Sequence, residues 1–268
     1  MKEIEVKILN IDEISKSEKM MVAMARLTQK GHTIQSMSDL EALIDMDYKA
    51  STVRTMCELP HPTIQKFGVI NIAVVGASRR FLAQITRHQN EIKFMSASLQ
   101  YSDYTGSSQF VIPYEITKLG EEDTLTRIMR NPEGKRINWF EQQYLKSCYQ
   151  SVAEYEQAIK QGVPHDAASY MLPQGLRNVL IISATPYQWK HMISQRTCNR
   201  NTSETQYVML KAWELLYGTS VMFEDCGPKC LYTGKCPEGK MFCKQFPQYQ
   251  HPTDFLDDKF PHIRRNKE

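Results

Sequence analysis

Strand-like and helix-like stretches alternate along this chain without a fixed repeat, and that irregularity restricts the folds open to it. Val179-Leu-Ile-Ile-Ser183 is a run of branched apolar residues, which suit a pleated, buried surface. Glu3 to Leu9 alternates charged with apolar residues, as a half-buried strand does. Gly68 to Val75 and Gln109 to Pro113 read as further strands. The helical patterns between and after them differ greatly in length. They cover Ser15 to Gly31, a stretch through Leu40, Leu43 and Ile44, Ser78 to Gln89, Asn138 to Gln161, Pro186 to Arg196, and Leu216 back to a Thr202 cap. Pro60-His61-Pro62-Thr63 reads as a loop, because each proline biases its predecessor to extended geometry. Gly162-Val163-Pro164 and Pro173 stop the helices before them. Strict βαβ alternation is missing, so the pattern predicts an α+β fold.

Composition narrows the class further. At 268 residues the chain suits one large domain or two modest ones, and 41% hydrophobic residues support a substantial core. A net charge of +3 does not argue for a nucleic-acid partner, although it leaves room for local basic pockets. No apolar run approaches the roughly 20 residues that span a bilayer, so no membrane association is expected. Met1-Lys-Glu-Ile-Glu-Val lacks the pattern of a signal peptide, and a cytoplasmic location is the expectation. In that compartment the scattered Cys57, Cys148 and Cys198 are expected to be reduced.

The chemistry concentrates in Gln84-Ile-Thr-Arg87-His88-Gln89 and in Ser98-Leu-Gln100-Tyr101-Ser102. On a helix, Gln84, Arg87 and His88 share a face and present an amide, a fixed cation and an imidazole together. On a strand, Ser98, Gln100 and Ser102 point to one side. Such a set suits a planar, anionic, hydrogen-bonding ligand such as a nucleotide or a flavin. A solvated helix face followed by an ordinary strand is the plainer alternative.

The order of these pieces resembles the flavin-dependent thymidylate synthases, the ThyX family. That family's signature is Arg-His-Arg and, after a gap, Ser-x-Arg-Tyr-Ser; here Arg87-His88-Gln89 leads, with one extra residue in the gap, to Ser98-Leu99-Gln100-Tyr101-Ser102. The family's upstream flavin loop, His-x-Thr or His-x-Ser, is matched by His61-Pro62-Thr63. Gly162-Val-Pro164, Leu172-Pro173, the strand from Val179 to Ser183 and Arg196 recur in the family's order. The resemblance spans about residues 1 to 217 and implies a central, mostly antiparallel sheet flanked by long helices.

Several positions depart from the pattern. The signature's third residue is Gln89 and its later arginine is Gln100. Met95-Ser96 replaces Asn-Glu, and Ser169 stands where the family usually has an arginine that meets the nucleotide. Thr185, Tyr187 and His191 fall on family asparagine and arginine positions near the flavin. Forked, permanently charged donors have thus given way to neutral groups or histidine. Losing such a donor from a phosphate should cost about 1.5–3 kcal/mol. Arg79, Arg80, Arg177 and Arg200 are available to compensate.

What the resemblance implies is reductive methylation of dUMP to dTMP, with methylenetetrahydrofolate as one-carbon donor and FAD reduced by NADPH. Arg87 would then hold nucleotide or flavin phosphates, with His61, Thr63, His88, Gln89 and His191 around the flavin. Gln84, Ser98, Gln100, Tyr101 and Arg196 would bind the nucleotide, Ser98 and Arg196 acting at the reacting ring. The resemblance also implies a homotetramer with active sites between subunits. Two alternatives remain: a C5-modifying enzyme for another pyrimidine nucleotide (UMP, dCMP, or a hydroxymethylated product), and a non-catalytic nucleotide- or RNA-binding relative. Cys198, between Arg196 and Arg200, could serve as a nucleophile toward a pyrimidine, but the rest of the chain does not resemble the synthases that work that way.

A second region stands apart. Residues 1–220 are expected to form the catalytic domain, and 221–268 a cysteine-rich extension with a polar, flexible or surface-wrapping tail beyond Pro247. Cys226, Cys230, Cys236 and Cys243 lie in a glycine- and proline-rich segment, so they are candidate ligands for zinc or an iron–sulfur cluster. No Cys-x-x-Cys pair occurs among them, and a loop of reduced thiols, or two disulfides formed on oxidation, is the competing reading.

Overall fold

The computed structural model describes residues 4–122, 129–130, 136–137, 139–245 and 249–264, and it centres the chain on the branched run near Val179. Strands β1 (Glu5–Ile8), β2 (Ile70–Ser78), β3 (Lys93–Ser96) and β6 (Arg177–Ala184) form one sheet in the order β1-β2-β6-β3. Every neighbouring pair is antiparallel. Two short strands, β4 (Met129–Arg130) and β5 (Arg136–Ile137), pair separately. The helices are α1 (Asp12–Lys30), α2 (Met37–Asp45), α3 (Ala50–Glu58), α4 (Arg79–Ile85), α5 (Tyr114–Glu122), α6 (Trp139–Lys160), α7 (His165–Ala168), α8 (Pro186–Arg196), α9 (Ser203–Tyr217), α10 (Lys229–Thr233), α11 (Pro252–Lys259) and α12 (Pro261–Arg264). The expected start of β1 at Glu3 and of α6 at Asn138 falls outside the described residues.

Register explains the two faces of the sheet. Ile8, Ile72, Ile182 and Phe94 stand opposite one another across all four strands, on the face that α8 and α9 help to cover. Ile70, Ile72, Val74, Leu180 and Ile182 are buried there, each contributing about 1.5–3 kcal/mol. The opposite row, Lys7, Ala73, Ile181 and Met95, faces outward, and Val75 beside Val179 extends it. At Gly76 the register shifts by a bulge, and its φ of 86° is a backbone conformation that glycine adopts without the strain a side chain would bring.

Local chemistry sets the junctions. Thr185 caps α8, its hydroxyl accepting from the Gln188 backbone N–H, and Pro186 occupies the first turn. Ser78 caps α4 through the Phe81 N–H (3.1 Å) and also bonds the carboxylate of Glu204 at the start of α9 by its own N–H (2.6 Å) and hydroxyl (2.5 Å). Burial raises the Glu204 carboxyl above its usual range.

Two expectations about the fold change. The strand expected over Gln109–Pro113 is reduced to one bridge between Phe110 and Leu176. The tail beyond Pro247 carries α11, whose Phe255 and Leu256 join Phe260 and Cys226 in the same core as the sheet. Three apolar residues at helical spacing achieve this in a segment that is polar on average. Among the described residues, no helix is long and apolar enough to cross a membrane.

Candidate functional site

Apolar side chains support α4 only as far as Phe81, Leu82 and Ile85, and the helix stops there. Thr86, Arg87, His88 and Gln89 therefore leave the helix rather than continue one of its faces, a correction to the shared-face expectation. The His88 N–H closes a tight turn on the Ile85 carbonyl (3.1 Å), and Asn90 and Glu91, both at φ 64°, swing the chain toward β3.

Arg196, in the last turn of α8, meets this turn. Its Nε donates to His88 Nε2 (2.7 Å), Nη2 to the Gln84 carbonyl (2.8 Å) and Nη1 to Asn201 Oδ1 (3.2 Å). Gln84 thus enters through its backbone oxygen. A guanidinium only donates, so His88 Nε2 must be the unprotonated acceptor and the ring neutral. His88 is buried, and burial, then Arg196, then His191 lower its pKa to about 4. The His191 ring stands edge-on at 5.8 Å, and its pKa is lowered by burial and by Lys229.

These groups open onto a cavity of about 570 Å³ lined by Arg87, His88, Gln89, His191 and Arg196, the remaining lining residues being neutral Asn90, Tyr187, Gln188 and Gln195. Among the described residues Arg87 has neither hydrogen-bond nor ion-pair partner. Burial and the charge on Arg87 both lower the pKa of Arg196. Two guanidiniums on one wall, with no carboxylate lining it, make an anion site. His61 and Thr63 are exposed and line neither this cavity nor its neighbour of about 420 Å³; Pro62 lines the latter together with Tyr187, His191 and Gln195.

The Ser98 segment lies elsewhere. The strand ends at Ser96, and the Ser98 hydroxyl accepts from the backbone N–H groups of Gln100 (3.0 Å) and Tyr101 (3.3 Å), turning the chain. The expectation of Ser98, Gln100 and Ser102 on one strand face is therefore wrong, because a local side-chain bond has displaced the ladder. Tyr101 is 83% exposed. None of Ser98, Gln100 and Tyr101 lines the cavity of Arg87 and Arg196. Ser96 and Leu99 instead line a cavity of about 570 Å³ with Ser169, Tyr170 and Arg79. Arg79, whose Nη1 donates to the Ala97 carbonyl (3.0 Å), thus places a guanidinium beside Ser169. Arg177 turns instead to the Gly76 carbonyl (3.2 Å) and the Gln109 amide oxygen (3.0 Å), and Arg200 pairs with Glu238.

The cysteines divide. Cys226 is buried in the core, and burial pushes its thiol up to about 12. Cys230, Cys236 and Cys243 line a cavity of about 850 Å³ that Arg87 and Arg196 also border. Among the described residues, no three His, Cys, Asp or Glu side chains converge closely enough to hold one metal ion, so the four-cysteine set read from the sequence is not assembled around a point.

An antiparallel four-stranded sheet of non-sequential order, with a carboxylate-free basic cavity beyond α4 and α8, defines an α+β protein with a positively charged pocket at the sheet's helical side. The chain belongs to the thymidylate synthase complementing protein family, whose model matches residues 11–219. Relatives named flavin-dependent thymidylate synthase include that of Thermococcus onnurineus, 26% identical over 192 residues, covering 68% of this chain and 69% of the relative. That of Pyrococcus abyssi is 23% identical over 214 residues, covering 77% and 80%. Among solved structures, the UMP/dUMP methylase PolB of Streptomyces cacaoi, bound with 5-Br dUMP, superposes with a TM-score of 0.60 at 17% identity, over 83% of this chain and 94% of that one. It shares the fold.

Proposed function

We propose that this chain is a flavin-dependent methyltransferase that carries out reductive methylation at C5 of a pyrimidine nucleotide, converting dUMP to dTMP. Membership of the family and the relatives' names make it an enzyme of the methyltransferase type. The observation that carries the reading is the unpartnered Arg87 beside Arg196 in a cavity without a carboxylate. That donor set fits the phosphates of FAD or of a nucleotide. When bound, FAD reduced by NADPH would supply the hydride, and methylenetetrahydrofolate the one-carbon unit.

The chain's own groups bind and orient. Of the five N–H groups of Arg196, three are committed to His88, Gln84 and Asn201, leaving two for an anionic ring or phosphate. Neutral His88 holds that guanidinium in place without adding charge. Ser98 Oγ accepts two backbone N–H groups, so its own proton is available to donate to a nucleotide carbonyl. Gln89 and His191 would contact the flavin in the cavity, and His61 and Thr63 would close over it from the adjacent loop. Gln100 and Tyr101 would reach a nucleotide bound in a neighbouring subunit. The outward row of Ala73, Val75, Met95, Val179 and Ile181 supports such an assembly, a homotetramer, since an apolar sheet face is stabilised by being covered. Residues 221–268 are taken as an extension, the family match ending at residue 219.

A second acceptor, UMP, is favoured by Gln100 and Ser169, which remove cations from the expected nucleotide contacts, and by the name of the PolB enzyme. The test is tritium release from C5-labelled dUMP, UMP and dCMP by the yellow, purified protein with methylenetetrahydrofolate and NADPH. Release from dUMP alone supports the first reading and release from UMP the second. Colourless protein that binds nucleotide without release would overturn both in favour of a non-catalytic relative.

A further inference from the structure

We propose that Cys198, Cys230, Cys236 and Cys243 hold an iron–sulfur cluster in the cavity that adjoins the Arg87–Arg196 pocket. All four thiols line that cavity, and Cys226 does not. The chain turns at Gly227 (φ 117°), where a Cβ would meet Trp213 at 2.8 Å and Leu231 at 2.9 Å. That turn commits Cys226 to the core and sends Cys230 to the cavity on the next helix, α10.

Cys198 is 32 residues or more from the other three in sequence, and hydrogen bonds bring it to them. Asn199, its neighbour, accepts from Lys259 of α11 and donates to the Gln245 side chain (2.8 Å), two residues beyond Cys243. Arg200 pairs with Glu238, two residues beyond Cys236. The loop that follows α8 is therefore tied on either hand to the segments that carry the other thiols.

A single zinc ion needs its four sulfurs within about 3.8 Å of one another, the edge of a tetrahedron with Zn–S of about 2.3 Å. Among the described residues no three His, Cys, Asp or Glu side chains converge to hold one ion. A cluster with four metal corners holds its thiolates farther apart and fills more of a cavity of about 850 Å³. Lys229 and Lys259 on the same walls, set against Asp258 and beside the Arg200–Glu238 pair, offset part of the negative charge that four thiolates bring.

The test is anaerobic reconstitution of the full chain with ferrous iron and sulfide, followed by iron and acid-labile sulfide analysis and low-temperature EPR after dithionite reduction. The expected result is about four iron and four sulfide per chain. Cys198→Ala and Cys236→Ala should each lower iron retention roughly tenfold or more with an unchanged circular dichroism spectrum, whereas Cys226→Ser should keep it. Full iron in Cys198→Ala would overturn the ligand set, and should Cys226→Ser not fold, the Cys198→Ala result decides alone. Zinc bound in place of iron, with no visible absorption beyond that of the flavin, would overturn the cluster. Failure to retain either metal would overturn the site. None of these readouts depends on nucleotide turnover, so the site stands or falls separately from the proposed reaction.

Discussion

His88 should make the protein lose stability in mild acid by an amount the geometry specifies. Its Nε2 accepts from Arg196 Nε at 2.7 Å, so protonation would remove the acceptor and set a cation against a guanidinium. The folded-state pKa is about 4, against about 6.5 in an unfolded chain. Above pH 6.5 neither state binds the proton and the group contributes no pH dependence. Between 6.5 and 4 the unfolded state binds it preferentially, so unfolding becomes easier by about 1.4 kcal/mol per pH unit. Lowering the pH from 7.5 to 5 should therefore cost about 2 kcal/mol from this residue alone. The control is His88→Gln, whose amide oxygen accepts from Arg196 without titrating. Urea unfolding of both proteins at the two pH values isolates the difference, because Glu204 and His191 titrate in each. Parallel losses in the two proteins, or an imidazole NMR resonance for His88 that titrates near 6.5, would refute the neutral-acceptor geometry.

Three further outcomes follow from single contacts. Arg87→Ala should weaken nucleotide or flavin binding by about 1.5–3 kcal/mol, roughly tenfold to a hundredfold in Kd, with the melting temperature unchanged because Arg87 has no partner among the described residues; calorimetric titration with dUMP and FAD reads this, and an unaltered affinity removes the anion site. Ser78→Ala should destabilise by about 2–4 kcal/mol, combining a lost cap with a buried Glu204 carboxylate short of a donor; a change below about 0.5 kcal/mol in urea would show that water replaces the hydroxyl. Phe255→Ala should cost about 3–5 kcal/mol if the C-terminal helix is part of the main core. A cost near zero would make that helix peripheral.

Helix α8 was legible to the residue because Pro186 and Thr185 start it by covalent and hydrogen-bond rules that need no tertiary contact. β6 was legible because its branched residues admit little else. The reading of α4 ran too long for a physical reason: Gln84, Arg87 and His88 have helical spacing, but nothing apolar lies between Ile85 and Ile92 to hold a helix against the core. Ser98 likewise defeats alternation, since its hydroxyl offers the Gln100 and Tyr101 amides a closer partner than a neighbouring strand. Short helices such as α3 and α11 carry too few periodic residues to stand out from their surroundings. The grouping of Cys198 with the C-terminal thiols had no local signal, because it depends on Asn199 and Arg200 meeting side chains about 40 residues away.

The turn that breaks helical periodicity and the turn that carries Arg87 and His88 are the same piece of chain. Asn90 and Glu91 both sit at φ 64°, where a side chain costs about 1–2 kcal/mol relative to ordinary backbone, and glutamate lacks the short polar side chain that eases asparagine into that region. The surroundings hold Glu91 in it: its carboxylate takes the Lys66 ammonium at 3.2 Å and the Gln188 amide at 3.4 Å, binding the turn to the loop after Pro62 and to α8. Released from that conformation, the chain after Ile85 would no longer bring His88 beneath Arg196 or leave Arg87 on the cavity wall. The strain thus lies where the anion site needs the backbone to leave its helix early, and helical periodicity fails at the point where the site begins.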